Sequence, residues 1–297
     1  MNDIATAPPP FYGIGTALLT PFKGDEVDLG AMRRLSARQL EGGVSALIVA
    51  GTTGEAPTLT QKERALLLDA VLCEAGGRCP VIMGTGANDT RAAIAHTKEA
   101  ARLGASGALV VTPYYNKGTP RGIVEHYLAI AESTDLPIIL YNVPTRTGVD
   151  LTLPLLDELI THPRVVAIKE ASGRLDRVAD IRARYGDRLH VYSGNDGDLL
   201  PTLAFGGRGL ISVLSNLLPA ECVALYRDFC EGRVQEAAAR AVALTPLCRL
   251  LFQETNPAPI KCAMADCGLC SDRMRLPMTA VSPALRSALK REVARFL

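Results

Sequence analysis

Nowhere in the 297 residues is there a run of about 18 apolar residues, the length that a bilayer-spanning helix requires. Nor does one sign of charge dominate. The 32 Lys and Arg against 31 Asp and Glu leave a formal net charge of +1, without the basic surplus that usually marks a nucleic-acid partner. Histidine is scarce: His96, His126, His162 and His190 stand apart and form no HExxH-type ligand pair, so nothing points to a catalytic metal. The opening MNDIATAPPP lacks the basic and apolar regions of a signal peptide. Its proline triplet reads as a disordered leader over residues 1–10, with the fold starting near Phe11. The eight cysteines are scattered through a long chain, as reduced thiols of a cytoplasmic protein would be. Cys267 and Cys270 in KCAMADCGLC have CxxC spacing, but no second pair or paired histidine follows, so buried thiols on a helix face are favoured over zinc.

What is present is alternation. Eight short apolar runs recur: GTALLT (15–20), SALIVAG (45–51), CPVIMGTG (79–86), GALVVT (107–112), LPIILYN (136–142), VVAIKE (165–170), LHVYSGN (189–195) and GLISV (209–213). Between them lie stretches of helical spacing such as QKERALLLDAVLCEA (61–75), preceded by Thr60 in a T-x-x-E capping box with Glu63. Gly104 closes the helix that ends at Leu103. Eight strands each followed by a helix predict an α/β fold of the (β/α)8 TIM-barrel type. An open doubly wound sheet would usually show G-x-G-x-x-G after an early strand, and neither GIGTAL nor GTGAND supplies it. The barrel is expected over residues 11–232, with an appended C-terminal helical region over 233–297.

In such a barrel the chemistry sits at the C-terminal ends of the strands. Those ends carry GTTGE (51–55), TPYYN (112–116), YNVPTRTG (141–148), KEASG (169–173) and SGND (193–196). Lys169 closes an otherwise apolar strand. It is either an ion-paired lysine, with Glu170 as partner, or a Schiff-base nucleophile, which needs the free amine that desolvation favours. Its place at the barrel mouth, beside Tyr141 on the neighbouring strand, favours the nucleophile. Tyrosines at strand ends are more often packing residues. Tyr115 and Tyr141, joined by the hydroxyls of Thr52 and Thr53, could instead relay protons, since a phenol near pKa 10 holds its proton at neutral pH. The amides of the GTTGE turn could hold one small carboxylate and Arg146 could clamp a second bidentately. A phosphate fits less well, because glycine-rich FGGRG (205–209) precedes the eighth strand and so lies at the other face.

In this order and on these strands, GTTGE, TPYYN, YNVPTRTG and KEASG closely resemble the dihydrodipicolinate (4-hydroxy-tetrahydrodipicolinate) synthase family, within the pyruvate-dependent class I aldolases that include N-acetylneuraminate lyase. The resemblance runs from Gly13 to about Leu218, and NPAPIK (256–261) extends it. It implies a lyase of lysine and diaminopimelate biosynthesis that condenses pyruvate with L-aspartate 4-semialdehyde. It implies that Lys169 forms the imine with pyruvate and that Tyr141 shuttles protons beside it. Thr52 would link Tyr141 to Tyr115, the latter entering from a neighbouring subunit. Thr53 would hold the pyruvate carboxylate, Arg146 the carboxylate of the semialdehyde, and Gly194 and Ile211 would shape the pocket through their backbone. No cofactor is implied, because the imine itself is the electron sink. The implied assembly is a homo-oligomer, at least a dimer and by family a tetramer built as a dimer of dimers.

There are departures. Gly118 in YYNKGTP replaces the usual proline, which should loosen the loop. Lysine-regulated members carry histidines or an aromatic residue where this chain has Gln61 and Arg64, and a glutamate where it has Ala92, although Asn88 and Tyr114 remain. Weak or absent lysine feedback is therefore expected. Two rival readings differ in testable ways. A pyruvate-type aldolase or dehydratase acting on a sugar acid would share Lys169, Tyr141 and GxxGE but generally lack Arg146. A non-catalytic keto-acid sensor would be expected to have lost Lys169 or Tyr141.

Overall fold

Strands buried on both faces need closely packed neighbours on every side, and a closed barrel supplies them. The computed structural model, which describes residues 7–296, has eight such strands. They are β1 (Gly13–Ala17), β2 (Ala46–Val49), β3 (Val81–Gly84), β4 (Gly107–Val111), β5 (Ile138–Asn142), β6 (Val165–Glu170), β7 (His190–Ser193) and β8 (Gly209–Ser212). All pairings are parallel and run in sequence order until β1 pairs with β8 and closes the barrel. Seven of the eight predicted runs contain their strands, and the first overlaps its strand. The first strand starts earlier than expected, at Gly13 rather than residue 15. Its pairing with β8 begins there, with Gly13 N donating to Arg208 O at 3.0 Å, and its ladder is spent by Ala17.

Alternation along each strand sorts side chains to two sides. Ile48, Ile82, Leu109, Ile139, Ala167 and Ile211 pack together inside the barrel. Leu140 and Ile168, one residue out of step, face the helices instead. Below this interior the ring of Phe11 stacks on Tyr192 with centroids 4.3 Å apart, and the Tyr192 hydroxyl donates to Phe11 O at 2.6 Å. Of the leader read over residues 1–10, residues 1–6 lie outside the described residues. From Ala7 onward the chain is in contact with the barrel, the Ala7 carbonyl lying 2.9 Å from His190 Nε2.

The Gln61–Ala75 helix starts with the predicted capping box, Thr60 Oγ1 accepting from Glu63 N while Glu63 accepts from Thr60 N. Beyond the Pro219–Cys230 helix come three more, Val234–Leu251, Ala258–Asp266 and Pro283–Val293. Their Leu247, Ile260, Met264 and Leu289 are fully buried in the same cluster as Leu47 and Leu67 of the barrel and its helices. The cysteines near the end sit differently from the helix-face expectation. Cys262 is buried on the Ala258–Asp266 helix, but Cys267 caps its C-terminus and Cys270 lies in the turn beyond, both half-buried. No described helix is long and apolar enough to cross a membrane. Among the described residues, no three His, Cys, Asp or Glu side chains converge as a metal site.

Candidate active site

Register brings Lys169 to the mouth. β5 and β6 pair Tyr141 with Lys169 and Asn142 with Glu170, and β7 places Tyr192 on the other side of Lys169. Because side chains alternate, Lys169 follows Ala167 inward and Glu170 follows Ile168 outward. Outside the barrel Glu170 is fully engaged: it accepts from Arg177 Nε at 2.7 Å, from Asn142 Nδ2 at 3.0 Å and from Ser172 N at 2.7 Å. The ion-paired reading of Lys169 is thereby excluded for Glu170. Lys169 is 5% exposed, and no carboxylate pairs with it among the described residues. Its Nζ lies 4.4 Å from the centroid of the Tyr141 ring.

Gly194 lies against the lysine stem. A Cβ there would stand 2.9 Å from Lys169 Cε and 2.5 Å from Ala171 Cβ, so only a glycine leaves the lysine in place. Gly194 N donates to Glu170 O at 2.7 Å, which holds this close approach. Ile211 is fully buried inside the barrel. Asp196, two residues after Gly194, is buried and accepts from Ser212 Oγ, Val213 N and Leu214 N, fixing the chain on both sides of the β8 end. Burial raises its carboxyl above the ordinary range.

The GTTGE turn follows β2. Both ends are left-handed in residues other than glycine, Ala50 at φ 50° and Glu55 at φ 55°. Thr53 is buried and its Oγ1 accepts from Asn256 Nδ2 at 3.0 Å, while Thr20 Oγ1 donates to Gly54 O at 2.7 Å. Arg146, on the short Pro144–Thr147 helix after β5, is exposed and donates through Nη2 to Asn256 O at 3.2 Å. A cavity of about 390 Å³ opens over these strand ends. Thr52, Arg64, His96, Tyr114, Tyr141, Arg146 and Thr147 contribute its polar lining; no carboxylate does, and Lys169 lies behind Tyr141 rather than in the lining itself. Two guanidiniums and no acid make it a place for anions. Burial lowers Arg64 to about 10, which leaves it a cation at neutral pH. His96 is held below its ordinary value by burial and then by Arg64.

Most of the predicted site residues thus converge: Lys169, Tyr141, Gly194 and Ile211 in or at the rim of the barrel, Thr52 and Thr53 on one turn, Arg146 at the cavity edge. Tyr115 does not. It is 89% exposed with φ 73°, and no hydrogen bond joins it to Thr52 or Tyr141 among the described residues. The sequence marks Asn256 only as part of NPAPIK, and its bridge between Thr53 and Arg146 has no signature in residue type alone.

Over residues 10–295 the sequence matches the dihydrodipicolinate synthetase family. The chain belongs to that family. A 4-hydroxy-tetrahydrodipicolinate synthase of Alkaliphilus oremlandii is 42% identical over 283 residues, 95% of this chain and 98% of that one. The crystal structure of dihydrodipicolinate synthase from Aquifex aeolicus superposes with a TM-score of 0.94 at 41% identity, covering 96% of this chain and 98% of the other. A monomeric dihydrodipicolinate synthase variant superposes at 0.92 with 42% identity, covering 96% of each chain. Membership of the dihydrodipicolinate synthetase family accounts for the barrel with its three extra C-terminal helices.

Proposed function

We propose that this protein is a 4-hydroxy-tetrahydrodipicolinate synthase, condensing pyruvate with L-aspartate 4-semialdehyde through a Schiff base on Lys169. The observation that carries the residue assignment is the environment of Lys169: inside the barrel mouth, over the Tyr141 ring, without a carboxylate partner, and with Gly194 leaving room for its stem. The amine of Lys169 adds to C2 of pyruvate, and loss of water gives the imine. Loss of a C3 proton gives the enamine, whose C3 attacks the aldehyde carbon of the second substrate. The amine of that substrate then adds to C2, closes the ring and displaces Lys169. Tyr141 would take and return the protons, with Thr52 and a neighbouring subunit's Tyr115 completing the relay. Thr53 and its turn would hold the pyruvate carboxylate and Arg146 the carboxylate of the semialdehyde. The acid-free cavity suits two carboxylate-bearing substrates.

The exposed, left-handed Tyr115 supports a homo-oligomer, since a large aromatic side chain held outward in a strained conformation gains from being covered. A cytoplasmic enzyme of the lysine and diaminopimelate route, working as a tetramer and without cofactor, is the full reading. Borohydride added with pyruvate should attach one three-carbon adduct to Lys169 by peptide mass mapping, and an unmodified Lys169 defeats the mechanism. Initial rates of pyruvate loss with aspartate semialdehyde and with N-acetylmannosamine then test the substrate. A preference for the sugar aldehyde would keep the Schiff base and remove the role given to Arg146.

A further inference from the structure

We infer that the Asn256–Lys261 segment, which lies outside the barrel, is a positioning clamp for the carboxylate-binding turn, Asn256 acting through Thr53 and Lys261 through Glu55. The inference rests on the reading of the GTTGE turn given above. Two observations carry it. Lys261 is completely buried and Glu55 is 3% exposed, and the two form an ion pair. The pair is closed around its remaining valences: Lys261 Nζ donates to Arg273 O at 2.7 Å, and Glu55 Oε2 accepts from Arg275 N at 3.3 Å. The ring of Phe22 covers Lys261 Nζ at 4.3 Å. Two residues before Glu55, Thr53 accepts from Asn256.

A left-handed residue other than glycine persists only where its surroundings dictate it. Glu55 is such a residue, and the anchor that holds its side chain is Lys261. The hydroxyl of Thr53 has one proton to give and can accept more than one. With Asn256 Nδ2 donating to it, that proton is free for an incoming carboxylate. The same Asn256 accepts from Arg146 through its backbone carbonyl, so one segment touches the groups assigned to both substrates. The side chains of Lys261 and Glu55 bond each other, Arg273 O and Arg275 N, and no group assigned to either substrate, which makes them positioning residues rather than catalytic ones.

Removing one partner of a buried ion pair strands a charge, whereas replacing both with neutral groups of similar size often restores stability. That separates holding the fold from holding the turn. Lys261→Met alone should lower Tm. Glu55→Gln combined with Lys261→Met should recover most of that Tm, yet keep a KM for pyruvate at least about tenfold above the wild type. A double variant with wild-type Tm and wild-type KM would show that the pair only packs, and would overturn the Lys261 arm. Should the double variant not fold, the Asn256 arm still decides. Asn256→Ala should raise the KM for pyruvate in the wild type but add little in a Thr53→Val background, and an unchanged KM in Asn256→Ala overturns the clamp. Borohydride labelling of the wild type with pyruvate runs alongside. If the wild type is not labelled, the assignment of the site fails and the clamp with it. If it is labelled and the variants bind pyruvate as the wild type does, the clamp alone fails.

Discussion

Lys169 shows how much a single alternation decides. Had β6 been displaced by one residue, Glu170 would face the barrel interior and Lys169 the helices. Ala167 inside and Ile168 outside exclude that register, because each packs in its own cluster. The outward Glu170 then finds Arg177 and Asn142, and among the described residues the inward lysine forms no ion pair. Gly194 completes the position by having no side chain. Gly194→Ala would put a methyl 2.9 Å from Lys169 Cε and beside Ala171. A misplacement of around 1 Å in a reacting group can cost about 100-fold. We expect kcat to fall by about that factor while the protein remains folded, as read by steady-state rates beside a thermal melt. A variant with undiminished kcat would mean that Gly194 has no part in placing the lysine.

At the scale of elements, the turn after β2 and the Gln61–Ala75 helix are tied to the chain beyond the barrel. Arg275 pairs with Glu63 at the helix start and donates to Thr58 O at 2.7 Å, while Lys261 holds Glu55. The Arg275 guanidinium brings the Glu63 carboxyl from its ordinary 4.5 down to about 2, with the Thr60 N–H and hydroxyl helping. A carboxyl lowered in the folded state contributes stability that is fully present above the unfolded value and is lost as pH falls through the folded one. The Tm difference between wild type and Arg275→Met should therefore hold steady above about pH 4.5 and shrink between there and about pH 2. A difference that persists unchanged at pH 2 would assign Arg275 to packing on Phe22, whose ring it covers at 4.7 Å.

For the whole molecule the deciding test concerns assembly. A single chain gathers Lys169, Tyr141, Thr52, Thr53 and Arg146 but leaves Tyr115 in solvent. If a second copy brings Tyr115 to Thr52, specific activity should fall when the protein is diluted below its association range. Tyr115→Phe should then lower kcat about 100- to 10,000-fold, the span of proton-transfer contributions. Analytical ultracentrifugation beside rate measurements checks this, and a monomer with full activity would remove Tyr115 from the relay. Regulation is read at the same scale. Arg64 is buried, donates to Gly84 O and Ala56 O, and lines the cavity that also reaches Tyr114. A cation there, with Ala92 unable to offer a carboxylate, disfavours an ammonium-bearing effector. Lysine should inhibit weakly or not at all, and an inhibition constant in the sub-millimolar range would contradict that.

Several features needed nothing beyond the sequence. Eight apolar runs separated by helical spacing specify the barrel, since strands buried on both faces must be apolar throughout and the interruptions must be amphipathic. The capping box at Thr60 and the stop at Gly104 are local, settled by hydrogen bonds within one turn. Lys169, Tyr141, Thr52, Thr53 and Arg146 could be named because chemistry falls at strand ends and the motifs stand there. Contacts between residues distant along the chain were another matter. That Asn256 bonds Thr53, 203 positions away, and that Lys261 pairs with Glu55 follow from how the C-terminal helices dock on the barrel. Residue type fixes what a side chain can donate or accept, but only packing of the whole chain decides which partner is brought within reach. The same reason separates Lys169 from Glu170: adjacent in sequence, they are sent to opposite sides of β6 by the closed barrel, one to the barrel interior beside Tyr141 and the other to an arginine.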